Sequence, residues 1–379
     1  MSERLPELDA MKLREALAQA GTNEELRNVV EALAQAGTNE RLRDAILDAL
    51  RQAENEATDA GAFRRKVRWP IILALLEKAK VHRVVLEGGL ALEVAPEGRI
   101  EQALLLSSSA HPDHVWEPQT TRLLVRLGTH ASNVIVGGAY IGDQALLVAQ
   151  AMAEKSPGGR VHAFEPMEGP FKRLLRNLEI NGLRNVSAHR VGLWESSDEA
   201  LRVEGLAGLA YSYPTQGECA TGTVPSITID DYVACQGLRS VEVLMLDTEG
   251  GEYRALRGAT RLLSRPFPEA PHLVFEIHRS YVDWSNGLEN TPIVCLVTST
   301  GYTVFAIRDF HDNHSMADKP IEIIPVDKVY LEGPPHGFNL LATKDAGLVS
   351  RLGLRVVENV SPKLLVDKDP ALHHPLDGL

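Results

Sequence analysis

A short apolar stretch that turns through glycines into a helix is the feature of this sequence that most limits its fold. Residues 134–143 read VIVGGAYIGD, and the apolar letters QALLVAQAMA follow at once. The first letters are typical of a buried strand and the last ten of an apolar helix. Such a turn is how a protein backbone usually approaches a nucleotide, because glycines let backbone amides come close to it. The sequence therefore predicts a nucleotide-binding domain.

The spacing of the glycines leaves the identity of the nucleotide open. Counted from Gly137, the spacing is G-x-A-x-x-G, close to the fingerprint of NAD-binding domains. Counted from Gly138, it is G-x-x-x-G, the looser turn common in enzymes that bind S-adenosylmethionine. Both cofactors carry a ribose diol, and Glu165, 23 residues after Gly142, is the acid expected to accept hydrogen bonds from it.

From Trp116 onward, strand-like and helix-like stretches alternate, which predicts a mostly parallel sheet covered by helices on both faces. We place its strands near residues 133–137, 160–165, 187–191, 241–247 and 272–277. We place its helices near residues 118–127, 142–154, 168–181, 250–263 and 290–300. Residues 302–308 and 337–343 are expected to pair as a closing antiparallel hairpin. The predicted fold class is therefore α/β and Rossmann-like.

The segments before this sheet form two predicted regions. Residues 1–85 read as a helical accessory domain, in which residues 15–24 recur letter for letter as residues 31–40. Two copies of a repeat are too few for a self-supporting solenoid, so we interpret the helices as an interface for a homo-oligomer. Residues 86–114 form a small β bridge, with a hairpin about Gly88–Gly89 and a further strand over residues 99–106.

The remainder of the chain holds the predicted nucleotide-binding domain and a tail. The domain covers residues 115–344 and includes a Pro- and His-containing segment at 309–336 that we interpret as a lid. Residues 345–379 are predicted to be a C-terminal tail.

Charge and composition narrow the partners. The 51 acidic and 39 basic residues give a formal charge of −12, which repels nucleic acid and anionic lipid surfaces. We find no apolar run that approaches the ~20 residues of a membrane span, and the N-terminus lacks a signal-peptide pattern. Three cysteines without metal-ligand spacing suit a reducing compartment. We therefore expect a cytoplasmic protein with a small-molecule substrate, no nucleic-acid partner and no membrane partner.

Acidic side chains follow several of the predicted strands. Asp247 and Glu249 end one strand, and Glu276 and His278 end the next, so that each pair points to one face of its strand. Because ligands of an open parallel sheet bind at the carboxyl ends of its strands, these groups are expected to surround one point. Three carboxylates, Asp247, Glu249 and Glu276, could hold Mg²⁺ or another hard divalent cation, or one could act as a general base.

A resemblance to a known family rests on a series of motifs. In chain order they are WEP at 116–118, the glycine turn, HAFEP at 162–166, RNLEING at 176–182, TIDDY at 228–232, LMLDTEG at 244–250, ALRGA at 255–259 and FEIH at 275–278. This series resembles the FkbM-type methyltransferases, over roughly residues 115–310. The resemblance implies a class I S-adenosylmethionine-dependent methyltransferase that acts on a hydroxyl oxygen of a sugar, a polyketide or a related natural product.

The resemblance also implies positions for the cofactor. The turn with Gly138 and Gly142 would face its methionine and ribose parts, and Glu165 would contact the ribose. Glu117 would contact the amino acid end, and Gly192 would border the adenine.

The glycine turn departs from the family pattern at two positions. FkbM-type turns usually read Asp-Val-Gly-Ala-Asn-x-Gly, whereas Val136 and Tyr140 stand here in place of the leading Asp and the Asn. Since Val136 cannot hydrogen-bond the methionine part, we expect Asp143, at the start of the next helix, to compensate.

In the resulting mechanistic hypothesis, a substrate hydroxyl lies near Asp247, and His278 or the bound cation assists the loss of its proton. Two alternatives remain open. One is an NAD-dependent oxidoreductase, favoured by the first count of the glycines. The other is a non-catalytic methyltransferase-like scaffold, whose altered turn no longer binds cofactor and whose repeated helices recruit a partner.

Overall fold

The structure, a computed structural model, describes residues 81–96, 98–106, 115–204, 211–214, 223–331 and 337–364, with isolated positions between residues 49 and 71. The predicted repeat at residues 15–40, and with it the predicted oligomerisation surface, lies outside these residues. Among the described residues, no helix is long and apolar enough to cross a membrane.

The strands and helices follow one another in the order expected for an α/β chain. The strands are β1 (His82–Val85), β2 (Ala91–Val94), β3 (Asn133–Gly137), β4 (Arg160–Phe164), β5 (Val186–His189), β6 (Gly192–Leu193), β7 (Ala200–Glu204), β8 (Tyr211–Pro214), β9 (Thr223–Ile227), β10 (Val243–Leu246), β11 (His272–His278), β12 (Thr303–Ile307), β13 (Asp309–Phe310), β14 (Glu322–Pro325), β15 (Gly337–Thr343), β16 (Arg355–Val356) and β17 (Lys363–Leu364). The α-helices are α1 (Arg99–Leu106), α2 (Pro118–Gly128), α3 (Ala145–Lys155), α4 (Glu168–Asn181), α5 (Ile229–Cys235), α6 (Glu252–Arg257), α7 (Thr260–Leu263), α8 (Pro292–Ser299) and α9 (Leu348–Arg351).

A nine-stranded sheet forms the centre of the described part of the chain, in the order β16-β14-β12-β15-β11-β10-β3-β4-β5. The five strands from β5 to β11 pair in parallel, and β15 runs antiparallel to both β11 and β12. The strand order reverses next to β3, which places the carboxyl ends of β3, β4 and β10 around one crevice. The predicted Rossmann-like α/β sheet with its closing hairpin is confirmed.

The sheet separates two apolar cores because its central strands are buried on both faces. Along β3, Val134 and Val136 belong to one core and Ile135 to the other. Along β10, Met245 contacts the first core and Leu246 the second. Alternate side chains of a strand point to opposite faces, so continuous apolar strands require helices on both sides.

Local signals set several helix boundaries. Pro118 begins α2, where its missing amide removes no helical hydrogen bond. Gly182 ends α4 in a left-handed conformation, and Thr228 Oγ1 caps α5 by accepting from Asp231 N at 3.0 Å. The single helix predicted over 250–263 is two helices, since Gly258 ends α6 against the backbone of Trp194.

In the segment before the sheet, the predicted hairpin is confirmed and the predicted further strand is wrong. Strands β1 and β2 pair antiparallel around the predicted glycine turn, although β1 begins at His82, before the predicted start of the bridge at residue 86. Residues 99–106, predicted as a strand, are helix α1. Residues 101–105 are all buried, and a short apolar run such as ALLL at 103–106 cannot be assigned to strand or helix by periodicity alone.

The regions predicted as lid and tail both contribute to the sheets in their described parts. Strand β14, within the predicted lid, pairs with β12, and β16, within the predicted tail, pairs with β14. Strands β13 and β17 pair in parallel and join the same two regions. Arg308 and Glu322, both buried, form an ion pair at 2.8 Å beneath them. These strands and the buried pair fix both regions against the domain.

A second, four-stranded sheet was not predicted. Its order is β6-β9-β7-β8, and β7 pairs antiparallel with both of its neighbours. It packs beside the carboxyl end of β5, next to the crevice of the main sheet.

Candidate active site

An open cleft lies at the carboxyl ends of the central strands, with an empty volume of about 980 Å³ that includes open solvent. The turn after β3, the end of β4 and the loop after β10 all contribute to its wall. Six residues of the predicted site line it. Four are predicted cofactor contacts, namely Gly138, Asp143, Glu165 and Gly192. The other two are Asp247, the predicted catalytic carboxylate, and Glu249, a predicted metal ligand. The structure therefore brings most of the predicted site together.

The glycine turn requires glycine where it is closest to the neighbouring loop. Gly138 has a φ of 78°, and a Cβ added there would lie 1.6 Å from the carbonyl oxygen of Asp247. Gly142, with a φ of 92°, would bring a Cβ within 2.2 Å of Leu146 Cδ1. The turn is fastened to the next strand because the amides of Gly138 and Ala139 both donate to Phe164 O at 2.9 Å.

Glu165 closes the far side of the turn. Its Oε2 accepts from Tyr140 N at 2.9 Å and its Oε1 from Met167 N at 2.7 Å. Burial raises the pKa of Glu165 to about 7, although both amide hydrogen bonds favour the ionised form. The carboxylate therefore holds the turn and also lines the cleft where a ribose was expected.

The two departures from the family turn have different surroundings. Val136 is buried within β3, where it belongs to one apolar core and also lines the cleft. Tyr140 lies in the left-handed region with a φ of 46°, and its hydroxyl donates to Glu101 Oε1 at 2.7 Å. Sequence reasoning missed Glu101, which lies on α1, because the segment containing it was taken for a strand.

Asp143 lies two residues before α3 and is buried at the cleft. Burial raises the pKa of Asp143 to about 7; a hydrogen bond from its own backbone amide opposes this shift, and the charges of Glu101 and Glu117 add to it. The residue is thus positioned at the cleft and beside the helix start, as predicted for a group that replaces the missing Asp at 136. Its contact with cofactor stays a prediction.

Three carboxylates converge beside the cleft, but they are not the predicted three. One oxygen each of Asp247, Glu252 and Glu276 lies within 4.8 Å of the others, so Glu252 stands where Glu249 was expected. Burial raises the pKa of Asp247 well above its ordinary value, and the neighbouring Glu276 raises it further. Burial also raises the pKa of Glu276, with Glu252 and Glu249 as the next causes.

The carboxylate of Glu252 accepts hydrogen bonds from the loop that precedes it. Its Oε1 accepts from Thr248 N at 2.6 Å and from Thr248 Oγ1 at 3.0 Å, and its Oε2 accepts from Gly250 N at 3.0 Å. These bonds use lone pairs that a cation would need. The geometry of Glu252 therefore fits a residue that shapes the loop better than it fits a metal ligand.

Glu249 points away from that cluster because the backbone turns beneath it. It has a φ of 52°, lines the cleft and accepts a long hydrogen bond of 3.4 Å from Tyr281 Oη. Burial, followed by the charge of Glu252, raises the pKa of Glu249 to about 7. Strand geometry ends at Leu246, so the two-residue alternation on which the pairing of Asp247 with Glu249 depended does not apply to them, although both residues line the cleft.

His278 and Glu117 lie behind the cleft and are not among its lining residues in the described part of the chain. His278 Nδ1 accepts from Ser280 N at 3.0 Å, and burial lowers its pKa. Glu117 Oε2 accepts from Asn339 Nδ2 at 2.7 Å, and its Oε1 lies 3.0 Å from His311 Nδ1. The predicted roles of His278 in proton transfer and of Glu117 in cofactor binding stay predictions.

Apolar walls of the cleft come from segments that the sequence did not single out. Gly192, expected at the adenine, lies on β6, where a Cβ would be 2.5 Å from Leu201 Cδ1. Leu201 and Val203 of β7 line the cleft next to it. The alternation ALRVE at residues 200–204 is the signal that could have predicted this strand, with its apolar side chains on one face.

The sheet and its cleft define a Rossmann-like α/β domain. Residues 137–289 match the family model described as the methyltransferase FkbM domain. The resemblance to the FkbM-type methyltransferases that the motifs predicted is therefore confirmed over these residues. A curated relative, 31-O-demethyl-FK506 methyltransferase FkbM of Streptomyces tacrolimicus, is 28% identical over 189 residues, which cover 40% of this chain and 67% of the relative.

Several solved structures similar to this chain are named as methyltransferases or methylases. The methyltransferase FkbM of Methylobacillus flagellatus is 17% identical with a TM-score of 0.34, and the match covers 64% of this chain. The chain spans 53% of the length of that structure. An rRNA methylase of Streptococcus thermophilus is 13% identical with a TM-score of 0.33, and the match covers 60% of this chain and 95% of that one.

Proposed function

We propose that this protein is an S-adenosylmethionine-dependent O-methyltransferase that acts on a hydroxyl of a small natural product such as a sugar, a polyketide or a related secondary metabolite. The observation that carries the proposal is the cleft at the strand ends, which has the glycine turn and Glu165 on one side and Asp247 beside them. The family of the domain supports methyl transfer, and the name of the curated relative supports a natural-product hydroxyl. The protein is proposed to work in the cytoplasm.

The residues of the cleft fit the parts of this cofactor. Gly138 would lie beside its methionine and ribose parts, Gly142 lets the turn pack closely on Leu146, and Asp143 would supply a carboxyl group for its amino end. Glu165 would share its oxygens between the turn and the ribose hydroxyls. Gly192 would border the adenine, for which Leu201 supplies an apolar wall.

The protein's tasks in the reaction are to align the acceptor, exclude water and remove a proton. Bound S-adenosylmethionine supplies an electrophilic methyl group on a sulfonium. Asp247 would accept the hydroxyl proton while the new C–O bond forms and the S–CH₃ bond breaks, which yields a methyl ether and S-adenosylhomocysteine. A raised pKa makes the Asp247 carboxylate a stronger proton acceptor. His278 is the second candidate for the proton.

Help from a divalent cation is a separate part of the proposal. Asp247 and Glu276 offer oxygens to a hard cation such as Mg²⁺, with Glu249 as the predicted third ligand and Glu252 as the nearest third carboxylate. A cation would also relieve the mutual repulsion of these buried groups. Because Glu252 is occupied by its loop, a cation-free reaction is the simpler form of the mechanism.

Isothermal titration calorimetry with S-adenosylmethionine and S-adenosylhomocysteine, with and without magnesium, tests the proposal. We expect micromolar binding, on the order of −8 kcal/mol, and then methyl transfer in a screen of glycosylated and polyketide alcohols. Asp247→Ala is expected to abolish turnover and keep cofactor binding, whereas lost cofactor affinity would move Asp247 into the cofactor site. Affinity that does not change with magnesium would remove the cation.

The same preparation distinguishes the two alternatives. A change of NADH fluorescence on titration would support the oxidoreductase, which the family of the domain disfavours. Failure to bind either sulfonium-derived ligand would favour the non-catalytic scaffold. Light scattering of the full chain measures the proposed homo-oligomer, and a filter-binding assay with RNA tests the proposed absence of a nucleic-acid partner.

A further inference from the structure

Tyr140 is held in a strained backbone conformation by two contacts at its opposite ends. Its φ of 46° lies in the left-handed region, which residues with a side chain occupy only when their surroundings hold them there. Its amide donates to Glu165 Oε2 at 2.9 Å, and its hydroxyl donates to Glu101 Oε1 at 2.7 Å. The ring between these two contacts lines the cleft.

The contact at the hydroxyl comes from outside the matched family domain. Glu101 lies in the first turn of α1, and its side chain is fully buried. Arg173 of α4 lies 3.5 Å from the same oxygen, Oε1. Burial and the neighbouring Glu101 both raise the pKa of Tyr140 far above its ordinary value, so the phenol stays protonated and donates.

The next residue of the turn is held from the same side. Asn177 Nδ2 donates to Ile141 O at 2.9 Å, while Asn177 Oδ1 accepts from Glu93 N of β2 at 2.7 Å. Two successive residues of the glycine turn are thus connected to the segment at residues 82–106. Tyr140 is bonded directly to Glu101 of α1, and Ile141 is connected to β2 through Asn177 of α4. Ile100, beside Glu101, itself lines the cleft.

We propose that Glu101 is a positioning residue for the cofactor. Through the hydroxyl of Tyr140 it holds the glycine turn in its binding conformation, and helix α1 therefore contributes to the ligand site. The inference rests on the proposed function. It also gives a role to Tyr140, which stands where the family turn usually has Asn, since its hydroxyl makes the hydrogen bond to Glu101.

A double-mutant cycle on the full chain, read by calorimetry with S-adenosylhomocysteine, tests this inference. We expect Glu101→Leu and Tyr140→Phe each to weaken binding about tenfold, the effect of losing one hydrogen bond to a charged group. The double variant should bind no more weakly than Glu101→Leu alone, because that variant has already lost the hydrogen bond that Tyr140→Phe removes. Glu101→Gln keeps an acceptor oxygen and should restore affinity to within about threefold of the wild type.

Glu93→Gln is the matched control, because Glu93 also joins this segment to α4 by an ion pair, with Arg176 at 3.3 Å, but has no side-chain contact with the turn. Its affinity should equal that of the wild type. Wild-type affinity in Tyr140→Phe, or single effects that multiply in the double variant, would overturn the inference. If Glu101→Leu fails to fold, Tyr140→Phe and Glu101→Gln decide. A wild-type protein that does not bind overturns the proposed function as well, whereas a binding wild type with unaffected variants overturns this inference alone.

Discussion

The loops that follow β3 and β10 both line the cleft. Each contains one non-glycine residue whose backbone is in the left-handed conformation, Tyr140 in the first loop and Glu249 in the second. The first loop is held by distant residues, since Glu165 and Glu101 are 25 and 39 positions away from Tyr140. The second is held by Glu252, four positions after Thr248 and two after Gly250. A loop held from afar depends on the surrounding fold, whereas a loop held by its own helix start is a local structure.

The contact between the two loops gives the largest expected effect. In Gly138→Ala the new methyl group would lie 1.6 Å from Asp247 O, so both loops must move and the backbone must keep a φ unfavourable to alanine. We expect a loss of about 3–5 kcal/mol in unfolding free energy, measured by urea denaturation, and no detectable binding of S-adenosylhomocysteine. Gly169→Ala is the control, because nothing lies within 4 Å of a Cβ there and alanine favours the helix. Normal stability in Gly138→Ala would show that the loops are not packed as described.

Removal of the local support should damage the second loop alone. Glu252→Ala leaves the amides of Thr248 and Gly250 without their acceptor, at an expected cost of about 2–3 kcal/mol in unfolding free energy. Protease sensitivity, followed by mass spectrometry, should rise at residues 247–251 and stay unchanged at the glycine turn. The exposed Glu179→Ala, on α4, should leave both measurements near wild type. Equal loosening of both loops would contradict the distinction between them.

This distinction also explains what the sequence could predict. The acids after β10 and the glycines after β3 are adjacent to their strands, so the periodicity of the strands located them. The carboxylate cluster contains Glu252 and not the predicted Glu249 because the backbone turns after Leu246. Hydrophobic periodicity could not predict this turn. Glu101 was out of reach for a different reason: its segment was predicted as a strand, and its contact with Tyr140 spans 39 positions.

The first loop should respond to pH through Glu165. Its pKa in the folded protein is raised to about 7, so protonation stabilises the fold below the unfolded value of about 4.3, and this stabilisation is lost as pH rises towards 7. Glu165→Gln lacks this titration, and we expect it to be less stable than the wild type at pH 4 by about 1–3 kcal/mol, with a smaller difference at pH 8.

Glu168→Gln provides a control of opposite sign, measured in the same urea titrations. A hydrogen bond from Lys172 lowers the pKa of the exposed Glu168, so its contribution is present above the unfolded value and is lost as pH falls. The difference between Glu168→Gln and wild type should therefore grow with pH while that of Glu165→Gln shrinks. Parallel curves for Glu165→Gln and wild type would mean that Glu165 is not buried as described.

The smallest expected effect concerns the outer face of the second loop. Tyr281 packs against Gly250, and its hydroxyl donates to Glu249 Oε2 at 3.4 Å on a largely exposed surface. Because Glu252 already holds the loop, Tyr281→Phe should change the unfolding free energy by about 0.5 kcal/mol or less and leave S-adenosylhomocysteine affinity unchanged. A loss of stability as large as that of Glu252→Ala would mean that the second loop, like the first, is held by a distant residue.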